Sequence, residues 1–579
     1  MRPAAPKIRA GGPDPAPWAV AFPIVPSPVS LAAGGWRTLS RYPLVLIVAL
    51  GGLVRLIAAI RLSPHVDEAA SLLAARMTAE RGVPILPSGT AYLQGATLSY
   101  LTAPLVWLGL DDLSVLTWLR MPVVLIGSLA IPLAYRLGTV ATGRERIGLA
   151  AALFVALDPL AVQWSGHLRM YGLLQPLTLG LALCLVLALR SPGSRWPLTV
   201  AVAVFWLAVF THSGAALLLA PVLLAAVMAI RIDRGPSAVR WGAALGVSGL
   251  APVALMGLNR VLGDASVSGG GESGGSVGFV GDHLLGMRWV TAVRSGVMSE
   301  FDPAVLLPSV STLSWLIPMA LVGIVSAIAA RRWWRGSLSP DARIAVPILL
   351  ATFWVPTAAV WIAAVEPRAR YHVHSLVVGY VLVAIVGGLP RGLSGPIARW
   401  RHLLLPAAAV LVLTVALGWR LSHPTVHPDY RAATSFVATA RQADDPVVAA
   451  LPAGVFLELG DDAPVRFLAG PADRPRAERL TRTTSAGEIT DYWIGVPAIT
   501  SAAELSTFLA AHPDAWIIVD QERLAAEWAY AGPIADVIAA ETVEVHTERG
   551  GVVVLRPRPL SVATLDAPSE HGDPRSFQD

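Results

Sequence analysis

Residues 43–60 read PLVLIVALGGLVRLIAAI, an apolar run in which Arg55 is the one charged residue. A helix of this length rises about 27 Å, close to the roughly 30 Å hydrocarbon core of a bilayer. Similar apolar runs recur along the chain, for example at 197–210 and 215–230. These runs predict membrane-spanning helices.

The composition agrees with a membrane protein. Of the 579 residues, 54% are apolar and 14% are charged, whereas a soluble domain carries about 25% charged residues. The formal charge of +5 does not indicate a nucleic-acid partner, because the basic residues sit in short segments between apolar runs. Cys184, the single cysteine, excludes an intrachain disulfide and a cysteine-based metal site.

Arginine clusters recur after every second apolar run, which is the positive-inside pattern of membrane proteins. They lie at 136–146, 190–195, 231–240, 331–343 and 391–401. Placing them and residues 1–43 in the cytoplasm gives about eleven spans. The predicted spans are 44–62, 120–138, 147–162, 172–189, 196–211, 214–230, 241–258, 306–330, 344–365, 374–390 and 403–419.

The alternation leaves out the apolar stretch 97–110, which is short and contains Pro104. At about 1.5 Å per residue it does not cross a bilayer, so we expect a re-entrant or interface-lying helix. The membrane domain, 44–420, then has two long outer loops, 63–119 and 259–305. The second contains a flexible Gly/Ser run at 266–278.

Hydropathy falls after Asp429, and short strand-like runs alternate with helical ones. Strands are predicted at 447–451, 516–519 and 552–555, and helices at 430–441 and 502–511. This pattern indicates an α/β domain at 425–559, followed by a polar, disordered tail at 560–579. The predicted fold class is an all-α polytopic membrane protein with a C-terminal extracytoplasmic α/β domain.

The first outer loop opens with His65-Val66-Asp67-Glu68-Ala69, followed by an amphipathic helix that Gly82 ends. Two interpretations of the acidic pair are open. Asp67 caps the helix while Glu68 favours its positive end, or both acids perform chemistry at the membrane surface.

Two short outer loops break the charge rule. One contains His167, Arg169 and Tyr171, and the other contains Arg368, Arg370 and Tyr371. Arginine is disfavoured in outer loops, so these side chains require an anionic partner, either nearby acids or a lipid phosphate. The alternative is that arginine and tyrosine anchor the loops in the headgroup region.

Three further ionisable residues lie in or near the predicted spans. Arg55 is deep enough in the first span to need a partner, and Arg120 stands at the outer end of the second. Asp158, beside Pro159, reads as a helix-end acid that pairs with Arg169. Asp67, Glu68 and Asp158 together offer ligands for a hard divalent ion, although no spacing demands one.

The order of these features resembles the family 39-like GT-C glycosyltransferases, which include protein O-mannosyltransferases and the aminoarabinose transferases of lipid A. The resemblance runs from about Arg55 to Tyr371. It rests on Asp67-Glu68-Ala69, Tyr92, Leu119-Arg120-Met121-Pro122, Leu168-Arg169-Met170-Tyr171 and Pro367-Arg368-Ala369-Arg370-Tyr371.

The resemblance implies a polyprenyl-monophosphate sugar donor, an inverting transfer, and Asp67 as catalytic base supported by Glu68. It further implies that the donor phosphate is held by a set of outer and near-membrane residues: Arg55, Tyr92, Arg120, His167, Arg169, Tyr171, Arg368, Arg370 and Tyr371. Lipid A transferases carry a lysine just after the tyrosine that matches Tyr92, where this chain has Gln94 and Gly95. The large outer insert of protein O-mannosyltransferases is also missing from this sequence. The resemblance therefore implies neither lipid A nor a protein as the acceptor substrate.

The expected partners are the lipid-linked donor, membrane lipids and an extracytoplasmic acceptor, with no certain cofactor. Lys7 is the one lysine among 44 basic residues, a skew typical of a high-G+C bacterium, so we expect the plasma membrane of a bacterial cell. Two other classes remain open. A lipid transporter or flippase would show repeated halves and charged sites near the midplane, and a non-catalytic scaffold would use the outer α/β domain as a binding module.

Overall fold

The computed structural model describes residues 42–92, 95–191, 196–232, 240, 242–251, 253–254, 310–363, 369–388, 396–422, 428–471, 477, 480–484, 486–526, 529–548 and 551–558. The predicted Gly-rich loop 259–305, the tail 560–579, residues 1–41 and Arg368 lie outside these ranges.

The first part of the chain is helical, with short 3-10 turns at Leu113–Val115, Ser213–Leu218 and Ala369–His372. Its α-helices are α1 (Pro43–Arg61), α2 (Val66–Arg81), α3 (Ala96–Trp107), α4 (Leu116–Leu119), α5 (Met121–Ser128), α6 (Ala130–Thr142), α7 (Glu145–Leu157), α8 (Pro159–Ser165), α9 (Tyr171–Arg190), α10 (Trp196–Thr211), α11 (Leu219–Ile232), α12 (Gly242–Ala251), α13 (Val310–Trp334), α14 (Pro340–Ala363), α15 (Val373–Gly388) and α16 (Pro396–Ser422).

Seven helices in the described part of the chain are long and apolar enough to span a bilayer, or eight if the bent pair α7 and α8 forms one span. The other three of the predicted spans are shorter apolar helices, α10, α12 and the 406–422 part of α16. Large apolar side chains such as Leu53, Leu125 and Ile324 are more than half exposed, as expected of surfaces that face lipid. The protein is therefore a multi-pass membrane protein.

The segment predicted to lie at the interface forms α3, a 12-residue helix with Pro104 inside it. It packs against α2, and together with it contributes to one hydrophobic core. Its far end exposes Trp107 and Leu108. Helix α2 ends where predicted, at Gly82, which adopts φ 75° and donates to the Thr78 carbonyl.

The C-terminal part is an α/β unit, as predicted. Its strands are β1 (Val447–Ala449), β2 (Val465–Leu468), β3 (Thr481–Thr483), β4 (Ile489–Asp491), β5 (Ala498–Ile499), β6 (Trp516–Asp520), β7 (Thr542–Thr547) and β8 (Val552–Pro557). Its helices are α17 (Tyr430–Ala440), α18 (Pro452–Leu459), α19 (Ala502–Ala511), α20 (Gln521–Ala525) and α21 (Pro533–Glu541).

Six strands form one sheet in the order β5-β2-β1-β6-β8-β7. The first four are parallel, while β8 runs antiparallel to both β6 and β7. Because parallel strands need crossover connections, α18 follows β1 and α19 precedes β6. The strand order therefore reverses between β1 and β6, two parallel neighbours whose carboxyl ends lie at the same edge of the sheet.

Candidate functional site

The start of α2 is fixed by a reciprocal cap. The His65 ring accepts a hydrogen bond from the Asp67 backbone N–H (3.2 Å), and the His65 N–H donates to Glu68 Oε2 (2.7 Å). His65 is thus the N-cap residue, and Glu68 completes the capping box. The interpretation of Asp67 as the N-cap is wrong, because the N-cap residue is His65.

Glu68 and Arg120 form a buried ion pair, with exposed fractions of 0% and 2%. Arg120 Nε and Nη2 donate to the two carboxylate oxygens at 2.9 and 2.7 Å. The remaining N–H groups of Arg120 donate to three carbonyls that end α1, those of Ala59, Leu62 and Ser63. All five N–H groups of this guanidinium therefore have partners within the chain.

Glu68 also ties α2 to the loop that follows α8. Its Oε1 accepts the Leu168 backbone N–H at 2.5 Å, and His167 Nδ1 lies 3.5 Å from Oε2. Burial alone would raise the pKa of Glu68, but Arg120 and His167 hold that pKa well below its usual range. Glu68 is thus a charged carboxylate with its oxygens fully engaged in joining α1, α2 and the 167–168 turn.

Asp67 points away from this pair and towards two other arginines. Its Oδ2 lies 3.2 Å from Arg169 Nη2 and 3.5 Å from Arg370 Nη1. The Asp67 side chain is 23% exposed, against 8% for Arg169 and 15% for Arg370. Residues from three distant segments of the sequence therefore meet around the one carboxylate that retains access to solvent.

Arg169 is held by α2 and by Tyr92. Its Nη1 lies 3.0 Å from the Asp67 carbonyl, from Ser71 Oγ and from Tyr92 Oη, and the two hydroxyls lie 3.2 Å apart. Sequence reasoning missed Ser71. Its spacing was the available signal, because residues four apart share one face of a helix, which places Ser71 beside Asp67.

Aromatic rings border this cluster. Tyr171 packs edge-on against Trp164 (4.9 Å between centroids) and against Tyr371 (6.4 Å), and tilts over His212 (5.4 Å). Arg370 lies over the Tyr371 ring, 5.3 Å from its centroid. The predicted residues Tyr171 and Tyr371 are therefore part of the site, where their rings pack beside the arginines. Trp164 and His212 were not predicted from the sequence.

The cluster of Asp67, Arg169 and Arg370 carries one net positive charge. Burial, reinforced by Arg169 and Arg370, lowers the pKa of His212 to about 4, so this ring is neutral at neutral pH. The Nε atoms of both arginines are buried and make no hydrogen bond within the described part of the chain. Unsatisfied buried donors cost about 1–3 kcal/mol each, so this site favours an added anion.

Arg55 and Asp158 form a separate cluster. Arg55 is fully buried and donates to the carbonyls of Gly51 and Val155 at 3.1 and 3.0 Å. Asp158 caps α8 and accepts from Tyr380 Oη at 3.0 Å. Its charged neighbours are Arg55 and Arg420, so the expected pairing of Asp158 with Arg169 is wrong: Arg169 pairs with Asp67 instead.

The three acids suggested as metal ligands are directed to different partners. Asp67 faces two arginines, Glu68 is paired with Arg120, and Asp158 caps a helix. Among the described residues no group of three histidine, cysteine or acidic side chains could hold a metal ion. The donor set proposed from the sequence does not fit a metal site in this fold.

Known structures of similar fold were found, although no protein-family model matches the sequence and no curated protein is detectably similar to it. The oligosaccharyltransferase of Archaeoglobus fulgidus, in complex with Zn and sulfate, aligns with a TM-score of 0.54 at 14% identity, over 88% of this chain and 73% of that chain. The oligosaccharyltransferase AglB from the same archaeon, in complex with an inhibitory peptide and a dolichol-phosphate, aligns with a TM-score of 0.52 at 12% identity, over 90% of this chain and 75% of that chain.

ArnT from Cupriavidus metallidurans, bound to undecaprenyl phosphate, aligns with a TM-score of 0.50 at 14% identity, over 93% of this chain and all of that chain. These proteins are GT-C glycosyltransferases. At such low identity the similarity shows the fold, and the chain therefore has the GT-C fold predicted from its motifs.

Proposed function

We propose that this chain is a membrane glycosyltransferase that transfers a sugar, with inversion, from a polyprenyl-monophosphate donor to an extracytoplasmic acceptor in the cell envelope. The observation that carries the proposal is the cluster of Asp67, Arg169 and Arg370, which places one accessible carboxylate beside two guanidinium groups on a GT-C fold. The undecaprenyl phosphate and dolichol-phosphate bound to its structural neighbours are consistent with this donor class.

The proposed reaction is a single displacement. A hydroxyl oxygen of the acceptor attacks the anomeric carbon of the donor while Asp67 accepts the hydroxyl proton. The bond between the anomeric carbon and the phosphate oxygen breaks, and its electron pair leaves with the polyprenyl phosphate. Arg169 and Arg370 stabilise the charge that develops on that leaving group.

The structure supports different roles for the remaining predicted residues. Arg120 has no free N–H group for a phosphate, so we assign it and Glu68 to positioning the start of α2. Arg55 contacts backbone carbonyls of α1 and α7 and lies near Asp158, so we assign it to packing of the membrane domain. Tyr92 is proposed to orient Arg169.

The proposed reaction needs no metal ion at Asp67. The two guanidinium groups within 3.5 Å of Asp67 oppose the binding of a divalent cation at that carboxylate. The Zn in the crystal of the archaeal enzyme belongs to that protein.

The proposed phosphate clamp, formed by Arg169 and Arg370, can be tested by replacing each of the two arginines separately with lysine. Lysine keeps the charge and loses the planar fork that contacts two phosphate oxygens. We expect the affinity of the purified protein for undecaprenyl phosphate to fall about 10- to 100-fold, since a hydrogen bond to a charged group contributes about 1.5–3 kcal/mol. Arg441→Lys, at a partly exposed position in the C-terminal domain, is the matched control. Normal affinity in both test variants would return these arginines to the role of headgroup anchors.

We propose that Asp67 and the C-terminal domain face outward, because the arginine clusters between spans then lie in the cytoplasm. Asp461 is exposed in the C-terminal domain. In a Cys184→Ala background, Asp461→Cys should react with a membrane-impermeant thiol reagent added to intact cells. Arg335→Cys, beyond the end of α13, should react after lysis. The opposite labelling pattern would reverse the orientation and with it the location of the acceptor.

A further inference from the structure

The C-terminal domain is docked on the first outer loop, beside Asp67. Its helix α18 contributes Ala453 and Leu457 to the hydrophobic core formed by α2 and α3, and Ile494 joins the same core. Val66, the residue before Asp67, packs in turn against the core of the C-terminal sheet. Each of the two parts therefore inserts apolar side chains into the hydrophobic core of the other.

Helix α18 begins at the carboxyl edge of the sheet, since it directly follows β1. In open α/β sheets the crevice at that edge, where the strand order reverses, is the usual ligand site. Here α18 packs against α2. The helix that starts at this edge thus contacts a segment of the membrane domain.

A hairpin in residues 85–92 makes the second contact. It is closed by the Ile85–Ala91 bridge and by the Tyr92 N–H, which donates to the Pro84 carbonyl at 2.8 Å. At its tip, the Ser88 N–H and hydroxyl donate to the carbonyls of Trp493 and Tyr492, at 3.2 and 2.7 Å. The hairpin therefore adds backbone and side-chain hydrogen bonds to the apolar contact.

The receiving turn, 491–495, is built to present those carbonyls. Asp491 is buried, and its Oδ2 accepts the backbone N–H groups of Trp493 and Ile494 at 2.9 and 2.7 Å. Gly495 closes the turn at φ 81°, and a Cβ added there would lie 3.2 Å from Ser88 Cα. Arg482 Nη1 donates to Thr90 Oγ1 at 3.1 Å beside it.

The hairpin ends at Tyr92, whose hydroxyl contacts both Arg169 and Ser71. We infer that the 491–495 turn of the C-terminal domain positions Tyr92, and through it the Arg169 guanidinium, for binding the lipid phosphate. This inference rests on the function proposed above. It makes Asp491, Gly495 and Arg482 positioning residues for a site to which they contribute no contact of their own.

The chain offers a matched pair of glycines for the test. Gly495 and Gly487 share φ 81°, so a side chain strains the backbone equally at both, but nothing lies within 4 Å of a Cβ at Gly487. We expect Gly495→Leu in the full-length protein to weaken undecaprenyl phosphate binding about tenfold, because displacing a positioned group by a fraction of an ångström disrupts its contacts. Gly487→Leu should change the affinity less than twofold.

A double-mutant cycle identifies the route. If Gly495→Leu acts by displacing Tyr92, it should have little further effect once Tyr92→Phe has removed the hydroxyl that contacts Arg169. Full additivity of the two changes would overturn the inference, because the domain would then affect binding by another path.

If Gly495→Leu abolishes the thermal unfolding transition, the variant is not folded, and the inference is tested with Arg482→Gln instead. Arg482→Gln removes the contact with Thr90. Its control is Arg466→Gln, because Arg466 stacks on Phe508 in the same domain and is likewise an arginine. A weaker affinity in Arg482→Gln than in the control supports the inference, and equal affinities overturn it. A wild-type protein that does not bind undecaprenyl phosphate would refute the proposed function itself, and the inference with it.

Discussion

Asp67→Asn is expected to lower sugar transfer by at least about a hundredfold, while the protein stays folded and still binds undecaprenyl phosphate. A general base contributes about 10² to 10⁴ in rate, and an amide cannot accept the acceptor's proton. The helix start should be retained, because the cap of α2 is formed by His65 and Glu68, which are both unchanged. Transfer would be measured as turnover of whichever undecaprenyl-phosphate sugar the wild type consumes from a panel.

Glu80→Gln is the control for this substitution, since it makes the same chemical change at an exposed position on the same helix. Its transfer rate should equal that of the wild type. Near-normal transfer by Asp67→Asn would show that Asp67 is not the base, even with the fold and the phosphate clamp intact. A non-catalytic scaffold would be indicated if no panel member is consumed by the wild type.

The architecture was readable from the sequence because its signals are local. Each apolar run reports its own burial in lipid, and the predicted helix 502–511 is α19 to the residue. Strand order was not readable, since β1 pairs with β2 and β6 through contacts between residues far apart in the chain.

The sequence predicted which residues belong to the candidate site better than it predicted which of them contact each other. Asp67, Arg169 and Arg370 were chosen as unusual charges on one face of the membrane, and the structure brings them together. The partner of each charge could not be deduced. Glu68 adjoins Asp67 in the chain, yet α2 turns the two carboxylates towards different arginines, because successive residues on a helix point about 100° apart.

The Glu68–Arg120 pair leads to an expected result opposite to that for Asp67. Glu68→Gln leaves the Arg120 charge buried without its counter-ion, and breaking a buried pair in this way typically costs about 3–5 kcal/mol. We expect a large drop in the thermal unfolding temperature of the purified protein, with undecaprenyl phosphate binding and transfer lost together. Asp67→Asn should lower the unfolding temperature less than Glu68→Gln does, because the Asp67 carboxylate is 23% exposed whereas that of Glu68 is fully buried.

The pair can be isolated from other effects by combining Glu68→Gln with Arg120→Gln. The double variant removes both charges, so it should be less destabilised than the sum of the single variants. Because the pKa of Glu68 is held below its usual range in the folded protein, its contribution to stability is fully present above its unfolded-state pKa of about 4.3 and is lost as the pH falls through the lower folded-state value. The stability gap between wild type and Glu68→Gln should therefore stay constant from pH 8 to about pH 5 and close only in stronger acid. If Glu68→Gln keeps its wild-type unfolding temperature and loses transfer alone, Glu68 acts in the chemistry, and the division of roles between the two neighbouring acids fails.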